Sequence, residues 1–259
     1  AWPAVTHIRH FGYYATAIIA LCIGVAATEQ RRRALALLLV FSTGGFAFAL
    51  WTGSRGTIVG VAGALLAGLI FIPAVRRTVV WAGTALSLAL GALIASLLPA
   101  HGPLMGFGRT IAQTVDSGDV STGRTQIWLN ALGAIEKRPV FGYGEAQMAT
   151  VAPFGTLGQT HDVILQILLA WGVVGLACVA VLALWYLARS LPVVRGGGPD
   201  TIAPLMAMLA LASLSVIDGS LYHVLPVSIF AACAGMVASR WLPRPDAVRR
   251  GEPRQTTRS

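Results

Sequence analysis

The chain has 259 residues, of which 56% are hydrophobic and 11% charged, and its formal net charge is +9. This composition excludes a disordered chain and a disulfide scaffold, and it argues against an ordinary soluble domain, where about 25% of residues are charged. Cys22, Cys178 and Cys233 lie inside apolar runs without ligand spacing and read as packed hydrophobes.

A membrane-crossing helix needs roughly 17–25 mostly apolar residues. Seven stretches qualify without a buried charge: 11–27, 34–51, 57–75, 78–99, 163–188, 201–217 and 221–240. Lipid leaves backbone groups unsatisfied, so such runs must be helical. No period of two marks a membrane barrel. The predicted fold is all-α, a polytopic bundle of about seven transmembrane helices with one long, partly helical outer loop. The expected units are 1–99 (outer segment and four spans), 100–160 (loop), 161–240 (three spans) and 241–259 (basic tail). The chain opens on Ala1 without a signal-peptide pattern, and it reads as part of a longer membrane protein.

The connections alternate in charge. Arg31, Arg32 and Arg33, then Arg76 and Arg77, then Arg189 and Arg195, and finally the Arg-rich tail, fall on one side. The positive-inside rule makes that side cytoplasmic. It holds 13 basic and four acidic residues, whereas the outer side holds six of each. The whole net charge therefore reports topology, and a nucleic-acid partner is not expected.

The outer side carries all five histidines. In chain order, His7, Arg9 and His10 precede the first span. Arg55 sits in the short turn Thr52-Gly53-Ser54-Arg55-Gly56, where glycines permit close approach to a ligand; a snorkelling Arg is the plainer reading. The loop 100–160 is too long for a mere connector. Asp116-Ser117-Gly118-Asp119 in it reads as a solvated turn rather than a metal site. Ser121-Thr122-Gly123-Arg124 opens a helix capped by Ser121 or Thr122, with Ile127, Ala131 and Ile135 on one face and Pro139 beyond its end. Arg124 in the first turn suits an anion held at the helix N-terminus, although Trp128 one turn on offers a cation–π partner instead. Phe141-Gly142-Tyr143-Gly144 forms a tight turn, and Tyr143 either lines a site or joins the aromatic belt. Thr160 is expected to cap the fifth span, with His161 and Asp162 at its mouth. His223 follows Asp218 and Tyr222 as a second polar group there.

Taken together, TGSRG at 52–56, STGRTQIW at 121–128, PVFGYG at 139–144, His161-Asp162 and GVVG at 172–175 resemble the integral-membrane O-antigen ligase and O-antigen polymerase superfamily, which includes protein O-oligosaccharyltransferases. The resemblance covers about residues 41–176. Family members commonly have ten or more spans, and many carry Asn where this chain has Asp162.

The resemblance implies a metal-independent, inverting glycosyltransferase that needs no cofactor or nucleotide sugar. It would act in the bacterial inner membrane with its active site facing the periplasm. The donor would be a glycan on undecaprenyl diphosphate. The acceptor would be lipid A-core, another glycan or a protein. Arg55 and Arg124 are the expected diphosphate clamp and His161 the expected general base. Tyr143 and His223 are further substrate-binding candidates. A polymerase would share the donor chemistry, and a flippase would move the same lipid without chemistry.

Overall fold

The computed structural model describes residues 10–99, 108, 124–153 and 158–241. Every regular element among them is helical: α1 (Phe11–Ala26), α2 (Arg32–Trp51), α3 (Gly56–Phe71), α4 (Thr78–Leu97), α5 (Arg124–Ile135), the one-turn α6 (Met148–Val151), α7 (Val163–Arg195), α8 (Pro199–Asp218) and α9 (Val224–Ala238). Each of the seven expected spans coincides with a helix. Four of them, α2, α4, α7 and α8, are long and apolar enough to cross a membrane. The other three, α1, α3 and α9, are apolar but have 16, 16 and 15 residues. At 1.5 Å per residue these cover about 22–24 Å. Pro73, which lacks an N–H, ends the third span early, and the chain continues as a 3-10 turn over Pro73–Arg76.

The centre of the bundle is α8. Of its apolar window 67% is buried, against 22–28% for the other three spanning helices. It packs on α1, α3 and α9. Hydrophobic driving force is absent between helices in lipid, so close backbone approach has to hold them together. Small residues permit this. A Cβ on Gly24 of α1 would lie 2.3 Å from the Ala203 Cα, and one on Gly60 of α3 would lie 2.9 Å from the Ala210 carbonyl oxygen.

The two ends of α8 differ chemically. At its start, Arg77 donates to the carbonyls of Ala26, Ala27 and Glu29, and Arg195 donates to that of Phe71 at 3.2 Å. Arg240 and Asp200 pair there as well. At its finish, the Tyr13 hydroxyl donates to the Asp218 carbonyl at 3.2 Å, and Thr57 donates to that of Gly12 at 3.1 Å. The Arg-rich connections thus gather at one end of the bundle, and the outer polar residues gather at the other.

The fifth span departs from expectation. It is not one continuous helix, because Gly172 has φ 64° and ψ −164° and breaks α7. Such a break in lipid exposes backbone groups that need partners. Residues 139–144 supply them. Tyr143 N–H donates to Leu169 O at 2.9 Å, and Gly144 N–H donates to Ala170 O at 2.8 Å. In return Val173 N–H donates to Pro139 O at 2.8 Å, and Val174 N–H to Val140 O at 3.2 Å. Gly142 and Gly144 have positive φ, as the tight turn required. A Cβ on Gly172 would sit 2.2 Å from Val140 O, so only glycine admits this strand-like segment. Ile127, Ala134 and Ile135 of α5 pack with Met148 and with Leu169 of α7. The outer loop is thereby stitched onto the break.

Candidate active site

Four segments converge at the far end of α8. The first is the α8 terminus. Gly219, in the left-handed conformation (φ 55°), closes the helix, and its N–H donates to Ser215 O at 3.3 Å. Asp218, the last helical residue, is 8% exposed. A carboxylate at a helix C-terminus is unfavourable against the macrodipole and needs a cation.

Arg124 is that cation. Its Nη2 donates to Asp218 Oδ1 at 2.9 Å, and its Nη1 donates to the Ile217 carbonyl. The alternative of a cation–π contact with Trp128 gives way to this docking. Trp128 instead donates through Nε1 to Thr160 O at 3.1 Å. Two of the five guanidinium N–H groups are so occupied, and the side chain stays 21% exposed. The proposed caps Ser121 and Thr122, like His7, Arg9 and Asp116–Asp119, lie outside the described residues.

His161 enters from the segment before α7. Thr160 is fully buried and held from two sides: it accepts from Trp128, and its N–H donates to Gln166 Oε1 at 2.9 Å. Its hydroxyl donates to the Asp162 carbonyl, so the helix cap falls to Asp162, whose Oδ1 accepts from the N–H groups of Ile164 and Leu165. This corrects the expectation that Thr160 would cap. The tethers leave His161 at φ 55°, one of two non-glycine residues with positive φ among those described. Its Nδ1 is buried without a hydrogen-bond partner and lies 3.6 Å from Asp218 Oδ1, while the side chain keeps 21% exposure. Gly219 packs against it: a Cβ there would stand in ordinary contact, 3.4 Å from the His161 Cα.

Arg55 arrives on the turn between α2 and α3. Gly12 of α1 lets this turn approach, since a Cβ on it would lie 1.9 Å from Ser54 Oγ. On the other side a Cβ on Gly56 would lie 3.6 Å from Asp218 Oδ2. Arg55, the residue before Gly56 on this turn, is half-buried.

His223 joins from the start of α9. Its ring centroid is 4.1 Å from that of His10 and 5.3 Å from that of Tyr13, and Gln159 Nε2 is 3.5 Å from its Nε2. Burial pushes its pKa down, opposed by Asp218 and reinforced by His161. The adjacent Tyr222 hydroxyl is pushed up to about 12 by burial and by Glu145. Tyr143 is placed elsewhere: its hydroxyl donates to Ala134 O at 3.1 Å, and the Arg138 guanidinium lies 5.1 Å from its ring centre.

Arg124, His161, His223 and the Arg55 turn, dispersed over the sequence, are thus brought together. Asp218 at their centre was not among the expected site residues. Its signal was available: an acid at the outer end of an apolar helix, followed by a capping glycine, demands a cation from elsewhere in the chain.

A family model described as O-antigen ligase matches residues 37–180, more than half of the chain. No curated protein and no solved structure matches.

Proposed function

Because the chain belongs to the O-antigen ligase family, we propose that this membrane glycosyltransferase moves a glycan from undecaprenyl diphosphate to an acceptor at the periplasmic face of the bacterial inner membrane. The observation that carries the reading is the meeting of Arg124, His161 and the Arg55 turn around Asp218, at the end of the bundle opposite the Arg-rich connections. By the positive-inside rule that end is periplasmic.

The reaction joins an acceptor hydroxyl to the anomeric carbon of the donor glycan. The acceptor oxygen attacks as the bond from that carbon to the diphosphate oxygen breaks, and the bonding pair leaves with the diphosphate. A single displacement inverts the anomeric centre. Negative charge grows on the leaving group. The guanidiniums of Arg55 and Arg124 stay charged and match phosphate oxygens in a fork geometry, so they stabilise that charge. The acceptor proton passes to His161. Its Nδ1 faces Asp218, which leaves Nε2 for the acceptor. His223, whose pKa burial lowers, and Gln159 beside it would contact the acceptor sugar. Tyr143 acts by fixing α5, and with it Arg124. An open apolar groove of about 460 Å³ between α1 and α2, lined by Phe11, Ile18, Phe41 and Phe48, starts next to His10 and suits the polyprenyl chain.

Separate Arg55→Ala, Arg124→Ala and His161→Ala proteins, in proteoliposomes with undecaprenyl-diphosphate-linked glycan, should each lose transfer by about 10²-fold or more while inserting normally. Near-normal transfer by His161→Ala would sink the base assignment. The products also identify the acceptor. Lipid A-core or protein capped once marks a ligase, and a ladder lengthening on undecaprenyl diphosphate marks a polymerase.

A further inference from the structure

Asp218 Oδ1 faces a guanidinium and an imidazole but bonds to one of them. Arg124 Nη2 holds it at 2.9 Å, and His161 Nδ1 waits at 3.6 Å, just outside hydrogen-bond range. That nitrogen is buried and has no other partner. A buried imidazole nitrogen without a bond is costly, and it persists only where the surroundings enforce it. Here the enforcement comes from the tethers on Thr160 and from the competing guanidinium.

We propose that Asp218 is a positioning residue that changes partner when the donor diphosphate binds, passing from Arg124 to His161 and so arming the base. The inference rests on the reading of His161 as general base and of Arg124 as diphosphate ligand. A diphosphate is a stronger bidentate acceptor than one carboxylate oxygen, and it draws the Arg124 guanidinium toward itself. The Nη1 bond to the Ile217 carbonyl serves as the pivot. Asp218, released and now close to an anion, needs a new hydrogen-bond donor. It accepts from His161 Nδ1–H, which fixes the tautomer with Nε2 unprotonated. When Nε2 then takes the acceptor proton, Asp218 stabilises the imidazolium. The carboxylate is therefore paired at every stage, and the base becomes strong only when the donor is in place.

Among the described residues, the charged and titratable groups around His161 are Asp218 at the end of α8, His223 before α9 with His10 behind it, and Arg124 on α5, with Arg55 on the turn whose Gly56 approaches Asp218. Asp162 on its own segment turns its carboxylate to the α7 N–H groups. Of these, Asp218 and Arg124 change partner between the two states.

The test is diethyl pyrocarbonate modification, which consumes neutral imidazole, of the intact protein in micelles across pH. The His161 peptide is followed by mass spectrometry, with and without undecaprenyl diphosphate. The half-modification pH should rise by about 1 on adding the lipid. In Asp218→Asn the rise should vanish. A wild-type value that does not move, or a rise that persists in Asp218→Asn through the direct field of the diphosphate, overturns the proposal. If Asp218→Asn fails to accumulate, Arg124→Gln decides. Its His161 should start at the higher value without lipid and no longer respond, because Asp218 is already free; a starting value equal to wild type overturns the exchange. The readout does not depend on transfer, so it is separate from the His161→Ala assay that judges the base assignment itself.

Discussion

At His161 the backbone sits at φ 55°, a region that costs a β-carbon-bearing residue roughly 1–2 kcal/mol. The two hydrogen bonds on Thr160 tether the residue before it. Strain of this kind belongs with a side chain aimed for a purpose. The expected consequence is a trade of stability against activity. His161→Gly should be more stable than His161→Ala by about 1 kcal/mol, because glycine adopts this φ freely. Both should be inactive. Chemical denaturation in micelles measures the difference, and equal stabilities would mean that the conformation is unstrained. The same scale explains why Arg124 was legible in the sequence but its partner was not. A cation in the first turn of a helix is locally unfavourable, so it announces a role. Its partner Asp218 lies 94 residues away, and nothing in local patterning links the two.

At the scale of elements, the break at Gly172 joins the outer loop to the bundle. Four backbone hydrogen bonds tie residues 139–144 to 169–174, and α5 follows because it packs on the same segment. Gly172→Ala would place a Cβ against Val140 O in a backbone conformation that alanine resists. It should detach residues 139–144, cost about 2 kcal/mol or more, and lower transfer at least tenfold by loosening Arg124. Hydrogen exchange should show the Tyr143 and Val173 amides protected in the wild type and exposed in the variant. Unchanged protection would disconnect the break from the site. In the sequence, GVVG reads as a continuation of an apolar run. A single left-handed glycine leaves no periodic trace, so the expected straight span was a fair reading of a broken one.

Across the whole molecule, α8 acts as a central post with basic connections at its start and the polar cluster at its finish. The reading of the basic end as cytoplasmic rests on the positive-inside rule. A reporter active only outside the cytoplasm should work when inserted after Gly158 and stay silent after Gly197. The reverse pattern would move the proposed chemistry to the other face. The exposed apolar sides of α2, α4 and α7, including Leu37, Val40, Leu93, Val181 and Leu184, are those of a membrane protein with lipid or further helices as neighbours.

The sequence by itself determined the class: continuous apolar runs dictate helices, and Arg placement supplies the orientation proposed for them, because both are properties of single segments meeting a bilayer. It also picked out Arg55, Arg124 and His161, since a cation or histidine on the outer face stands out from an apolar background. The tertiary structure alone decided which residue these side chains meet, where α7 breaks, and that Tyr143 supports α5 rather than joining the cluster. Those outcomes depend on close approaches between distant segments, at Gly12, Gly56 and Gly172 above all. A missing side chain shows in a sequence only as a glycine, and what fills the space is decided when the helices pack.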